Sequence, residues 1–139
     1  MQKRVRAIII EENRYLFIHR VKDDEEYWVL PGGGVETEDE SLEAALVREC
    51  EEELGVCVEV GDLYTTTYFE MDGKEQEQHI FFCKILDGEL GSGQGPEYQP
   101  DGGYEGNYQP EWVHITEIED KKILPEEIKG RLFQYKKDN

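Results

Sequence analysis

Residues 34–56 read GVETEDESLEAALVRECEEELGV. Arg48 precedes Glu49, and Glu52 and Glu53 stand at the i+3 and i+4 positions from Glu49. At about 100° per residue, those offsets bring three carboxylates to one side of a helix. Gly55 marks where the helix should stop, as a glycine just past its end. The three acids therefore sit near the negative end of the helix dipole, where further negative charge is disfavoured. Like charges at this spacing add a cost of roughly 0.2–0.5 kcal/mol per pair. A helix shaped for stability alone would avoid this arrangement. A divalent cation such as Mg²⁺ removes the conflict, because hard ions take carboxylate oxygens. The plainer reading is a solvated acidic face in a chain that is acidic throughout.

The pattern runs beyond the triplet. Gly34 is followed by five residues, Glu40, seven residues, then Arg48, Glu49, the pair Glu52 and Glu53, Gly55 and Val56. This spacing resembles the Nudix box, the signature of Nudix (MutT-like) hydrolases. One position departs from the family pattern: Cys50 stands where an aliphatic residue is usual, and free cysteine packs as a small hydrophobe. The segment WVLPGG (28–33) and the later Glu111, Trp112 and Val113 also look like Nudix chains. The resemblance implies a single α/β domain over 1–139, a compact α/β/α sandwich with a mixed β-sheet and a loop–helix–loop catalytic motif.

It also implies a chemistry. Glu49, Glu52 and Glu53 would be ligands of Mg²⁺, or of Mn²⁺ in its place, and one of them would take a proton from water. Arg48 would orient the neighbouring carboxylates, since its fork suits them and keeps its charge. Glu40 would contribute through a water, through Arg48, or only by favouring the helix start. The expected reaction is Mg²⁺-dependent cleavage of the pyrophosphate in a nucleoside diphosphate linked to another moiety. The alternatives are an ADP-ribose or dinucleoside polyphosphate pyrophosphatase, or a nucleotide sensor without turnover.

Further candidates come from local chemistry. Gly33 and Gly34 lie in a glycine triplet whose backbone can turn sharply or approach a ligand. Arg20, at a strand end, is a candidate for a phosphate. Trp28, Tyr98, Tyr104 and Tyr108 could stack on a base or ribose, the tyrosines from a lid. Glu97, Asp101, Glu105 and Glu111 could add a ligand or a base from the same region.

Hydrophobic patterning supplies the elements. Apolar runs at 5–11 and 15–20 flank Glu12-Asn13 and suggest an opening hairpin, followed by a charged loop at 21–26 and a short strand at 27–30. Thr37-x-x-Glu40 matches a capping box, and Ser41 is the other candidate N-cap, which the resemblance favours. Leu46, Val47, Cys50 and Leu54 form a core-facing stripe beside the acids. A strand at 56–71, a turn at Asp72-Gly73 and a strand at 79–86 follow. The glycine-rich connection 87–110 is long enough to suggest function or disorder. A strand at 111–115 and a helix at 125–135, with proline near its start, close the chain.

Composition sets outer limits. Fifteen basic and 33 acidic residues give a net charge of −18, unsuited to gripping polymeric nucleic acid, whose affinity rests on clustered Lys and Arg. A small anionic nucleotide remains compatible if a metal supplies local positive charge. No apolar run is long enough to span a membrane, and the start reads as a strand, not a signal peptide. Three cysteines without zinc spacing predict reduced, buried thiols in a cytoplasmic protein. A homodimer is compatible with the resemblance.

Overall fold

The computed structural model describes residues 2–91 and 107–138. The elements are β1 (Gln2–Ile8), β2 (Ile10–Glu11), β3 (Arg14–Lys22), β4 (Glu25–Val29), β5 (Gly32–Gly34), α1 (Leu42–Leu54), β6 (Val56–Met71), β7 (Lys74–Gly88), β8 (Asn107–His114) and α2 (Glu126–Asp138), with a 3₁₀ turn at Ile115–Asp120. The expected α/β/α sandwich is present. Its strands form two four-stranded sheets, one ordered β5-β1-β7-β6, the other built on β3 with β2 and β4 along one side and β8 along the other. The first sheet is mixed: β1 runs parallel to β7 and antiparallel to β5.

Three two-residue hairpin turns have positive φ at both central residues: Glu12-Asn13 (50° and 63°), Asp23-Asp24 (49° and 67°) and Asp72-Gly73 (54° and 76°). That conformation matches the twist of flanking strands. The middle turn corrects the expected charged loop at 21–26. Aspartate tolerates left-handed backbone, so β3 and β4 continue into a hairpin with Lys22 opposite Glu25. The opening hairpin is also shorter than expected. Only β2 pairs with β3, while β1 joins the other sheet. Strand β7 begins at Lys74 and β8 at Asn107, both earlier than their apolar cores suggested. Residues of 87–110 numbered 92–106 lie outside the described set.

Alternation along the strands divides the interior in two. Val5, Ala7 and Ile9 of the first apolar run, with Leu16, Ile18 and Phe81, pack against Ala45, Leu46, Cys50 and Leu54 of α1. Their neighbours Ile8, Tyr15, Phe17 and Ile80 point the other way and pack with Ile128 and Leu132 of α2. Successive strand residues face opposite sides, so one run serves both cores and each helix covers its own. Of the three cysteines, Cys50 is buried and Cys83 half-buried, but Cys57 is exposed, against the expectation of buried thiols. Among the described residues no helix is long and apolar enough to cross a membrane.

Leu46 is fully enclosed on the inner face of α1. Leu46→Ala is expected to lower the unfolding free energy by roughly 2–5 kcal/mol, the range for truncating a buried leucine, read as a lower urea midpoint with an unchanged slope.

Candidate active site

Helix α1 starts where its cap chemistry dictates. Ser41 is extended, and its hydroxyl accepts a hydrogen bond from the Ala44 N–H at 3.0 Å; the Thr37 alternative is not used. At the other end Gly55 takes φ 78°, and its N–H bonds to the Glu51 carbonyl. The Gly91 N–H reaches the Leu54 carbonyl at 2.9 Å. The last turn contains no basic residue, so the dipole leaves Glu49, Glu52 and Glu53 without local relief.

Relief comes from Arg48. Its Nε and Nη2 donate to the two oxygens of Asp39, each at 2.9 Å. Nη2 also donates to the Gly34 carbonyl at 3.0 Å. Nη1 donates to Glu49 Oε1 and Glu52 Oε2, both at 3.2 Å, with Glu36 at 3.6 Å. One guanidinium thus joins the loop of residues 34–39 to the acidic face of the helix. The two-pronged bond from Arg48 holds the Asp39 carboxyl below the usual carboxylate range. In return the pairing raises the Arg48 pKa further above its already high value.

Glu53 is fixed differently. It is only 8 % exposed, and its Oε1 accepts the Gly32 N–H at 2.8 Å. Gly32 has φ 147°, and a Cβ there would run into the Val5 carbonyl of β1. Only glycine lets β5 lie this close and still turn its N–H to the acid. At Gly33 an added Cβ would overlap the Glu49 carboxylate. The glycines therefore make room for the acids, and Gly34 contributes its carbonyl to Arg48.

The donor set suits a hard divalent ion in kind, being carboxylate oxygens. Oxygens of Glu49 and Glu52 already converge on one cationic nitrogen, Nη1 of Arg48. Among the described residues no three acidic, histidine or cysteine side chains are gathered as a metal-ligating group; Glu53 is turned toward the Gly32 N–H.

Other expected residues fall as follows. Glu40 is exposed, and the partner of Arg48 from this loop is its neighbour Asp39. Arg20 is engaged by aromatic residues: its Nη1 donates to the Tyr108 hydroxyl at 2.6 Å, with the guanidinium 3.7 Å from that ring's centre. Trp28, expected either as a stacking platform or in the core, is placed as follows. It is 5 % exposed, lies flat against His19 at 4.5 Å and has Lys121 Nζ 4.7 Å from its ring. Its Nε1–H bonds to Glu111 Oε2 at 3.0 Å, and Glu111 Oε1 lies 3.2 Å from His19 Nδ1, so Glu111 is already engaged. Tyr98, Tyr104, Glu97, Asp101 and Glu105 lie outside the described residues.

The sequence reading missed Asp39 and two arginines of β1. Arg6 stands opposite Gly32. Burial and the neighbouring Arg4 push its pKa down to about 10, against the pull of Glu53 and Glu49. Arg4 stands opposite Gly34, with a buried Nε that has no hydrogen-bond partner among the described residues. Only part of their signal was available, as arginines alternating with apolar residues in a strand; that this strand lies beside the glycine triplet is decided by the β1–β5 pairing.

The fold and this loop–helix–carboxylate arrangement are those of a Nudix domain, and comparison with known proteins agrees. The NUDIX domain model matches residues 1–133, and the chain belongs to that family. A Caenorhabditis elegans nudix hydrolase is 29 % identical over 106 residues, 76 % of this chain but 25 % of that protein. The chain thus spans about a quarter of that relative's length. Among solved structures, the E. coli ORF135 protein is 28 % identical with TM-score 0.67, covering 90 % of this chain and 81 % of that one. A MutT protein from Methanosarcina mazei Go1 is 25 % identical with TM-score 0.71, covering 99 % and 96 %.

Because the Asp39 carboxyl is lowered below its ordinary value of 3.8 by folding, it stabilises the fold above that pH and ceases to do so as pH falls through its folded value. Asp39→Asn is expected to be less stable than the parent near neutrality. The gap should close as pH drops from about 5 toward 2, measured by urea unfolding at each pH.

Proposed function

We propose that this domain hydrolyses a phosphoanhydride bond in a small nucleotide, a nucleoside diphosphate linked to another moiety, with Mg²⁺ or Mn²⁺ held by Glu49, Glu52 and Glu53. The observation that carries the reading is the convergence of Glu49 and Glu52 oxygens on a single Arg48 nitrogen, beside a Glu53 locked by the Gly32 N–H. Arg48 offsets part of the cost of so much acid at a helix C-terminus, and a bound divalent cation would offset the rest.

A phosphoanhydride resists attack because its oxygens repel an incoming nucleophile. A bound divalent ion supplies positive charge to the phosphates and acidifies the attacking water. The chain's own residues do the rest. Arg48 offsets repulsion between Glu49 and Glu52 and keeps their oxygens facing one point. Gly32 and Gly33 leave space for Glu53 and Glu49 to approach the loop. Water attacks phosphorus, a carboxylate of the cluster accepts its proton, and the products are two phosphate-terminated pieces. Arg4, beside Gly34 and with a buried Nε that has no hydrogen-bond partner among the described residues, is a candidate cation for a phosphate on the loop side.

The test is a panel of nucleoside triphosphates, nucleotide sugars, ADP-ribose and dinucleoside polyphosphates, each with Mg²⁺, with Mn²⁺ and with chelator, products being resolved by chromatography. Metal-dependent release of a nucleoside monophosphate is expected. Glu52→Gln and Glu53→Gln should each lower the rate by roughly 10²–10⁴-fold, the loss that follows removal of a positioned proton-transfer group, with an unchanged circular dichroism spectrum. Full activity in both variants would remove their roles.

A further inference from the structure

We propose that Asp39 is a positioning residue for the metal-binding acids. By occupying most of the Arg48 guanidinium, it limits how firmly Arg48 can hold Glu49 and Glu52, and so keeps their oxygens open to a divalent ion. This deepens the reading above and rests on it, since those acids are there the ligands of Mg²⁺ or Mn²⁺.

A guanidinium carries five N–H donors in one rigid plane. All five are used in Arg48: Nε and Nη2 donate to the two Asp39 oxygens, Nη2 also to the Gly34 carbonyl, and Nη1 to Glu49 Oε1 and Glu52 Oε2. The two bonds to Asp39 are 2.9 Å long and the two to the helix acids 3.2 Å. Asp39 therefore has the tight, two-pronged pair, while each helix acid gives Arg48 a single oxygen. Glu49 and Glu52 are steadied, but neither surrenders a whole carboxylate.

Asp39 can hold Arg48 back because its own loop holds it. Its side chain is only 7 % exposed. Oδ2 accepts the Glu36 N–H at 2.8 Å, and the Asp39 N–H returns a bond to the Glu36 carbonyl at 3.1 Å. The Glu36 carboxylate is no substitute, being exposed and 3.6 Å from Nη1.

An amide at this position keeps one acceptor but sets an N–H₂ group against the other guanidinium N–H. A fork released there turns toward the carboxylates it already touches, and arginine prefers two parallel bonds to one carboxylate. One helix acid would then give both oxygens to Arg48, and an ion would have to displace them. Loss of a group that orients metal-ligating side chains typically costs about tenfold to a hundredfold in metal affinity.

The test is Mn²⁺ binding without nucleotide, followed by the electron paramagnetic resonance signal of the free ion, in the parent, Asp39→Asn, Arg48→Gln and the double variant. Asp39→Asn should weaken Mn²⁺ binding by about tenfold to a hundredfold in the parent and have little effect once Arg48 is glutamine, since the two residues act as a unit. An equal loss in both backgrounds means that Asp39 acts on the ion through its own charge, and overturns the proposal. So does unchanged affinity in Asp39→Asn, which would leave Asp39 as a brace for the loop alone. Circular dichroism checks folding of each variant. Should Asp39→Asn or Arg48→Gln fail to fold, Asp39→Glu and Arg48→Lys form the same cycle with smaller effects in the same directions. Parent binding that is absent, or indifferent to Glu52→Gln, sinks the metal reading and this proposal together. Binding that depends on Glu52 but shows no coupling between Asp39 and Arg48 sinks the proposal alone.

Discussion

Negative charge crowded at the unfavourable end of a helix is the constraint on which this structure turns, and one guanidinium answers it. Arg48 draws Glu49 and Glu52 together through Nη1 and reaches across to Asp39 and Gly34 through the rest of its fork. Planarity matters here as much as charge. A lysine could neutralise one neighbour, but it could not bond both Asp39 oxygens and the helix acids in fixed directions. Loop and helix are thereby oriented by a single side chain. The glycine triplet then fits against them, with Glu53 bonded to Gly32.

That local arrangement is held in place by the division of the strands between two cores. In β1, Val5 and Ala7 face α1, while Arg4 and Arg6 alternate with them. The same strand consequently braces the helix carrying the acids and carries two cations on its other face. Pairing of β1 with β5 completes the link, since Arg4 and Arg6 stand opposite Gly34 and Gly32. Packing and chemistry share one backbone ladder.

Much of this was legible residue by residue. The helix, its Gly55 stop and its inner stripe follow from short-range chemistry, whereas the choice of Ser41 over Thr37 as the cap came from the family resemblance, and the structure has all of them. Asp72-Gly73 announced its turn through a glycine, whereas Asp23-Asp24 did not, because aspartate takes left-handed backbone without any compositional mark. The role of Asp39 was hidden for a different reason. Arg48 chooses between adjacent acids according to the path of the loop, and no spacing rule ranks Asp39 above Glu40. For Trp28 the side-chain type alone left two readings open, since an aromatic residue before a glycine loop fits a platform and a core equally well.

The sequence by itself determined the family resemblance, the helix with its acids, and which residues alternate toward the interior, because these depend on contacts within a few positions or on strict periodicity. Tertiary structure alone decided that β1 leaves its expected hairpin to run parallel with β7. It also decided that Asp39 closes on Arg48 and that Arg6 borders a cavity. These outcomes join segments distant along the chain, and their energies depend on which surfaces meet once both cores have formed.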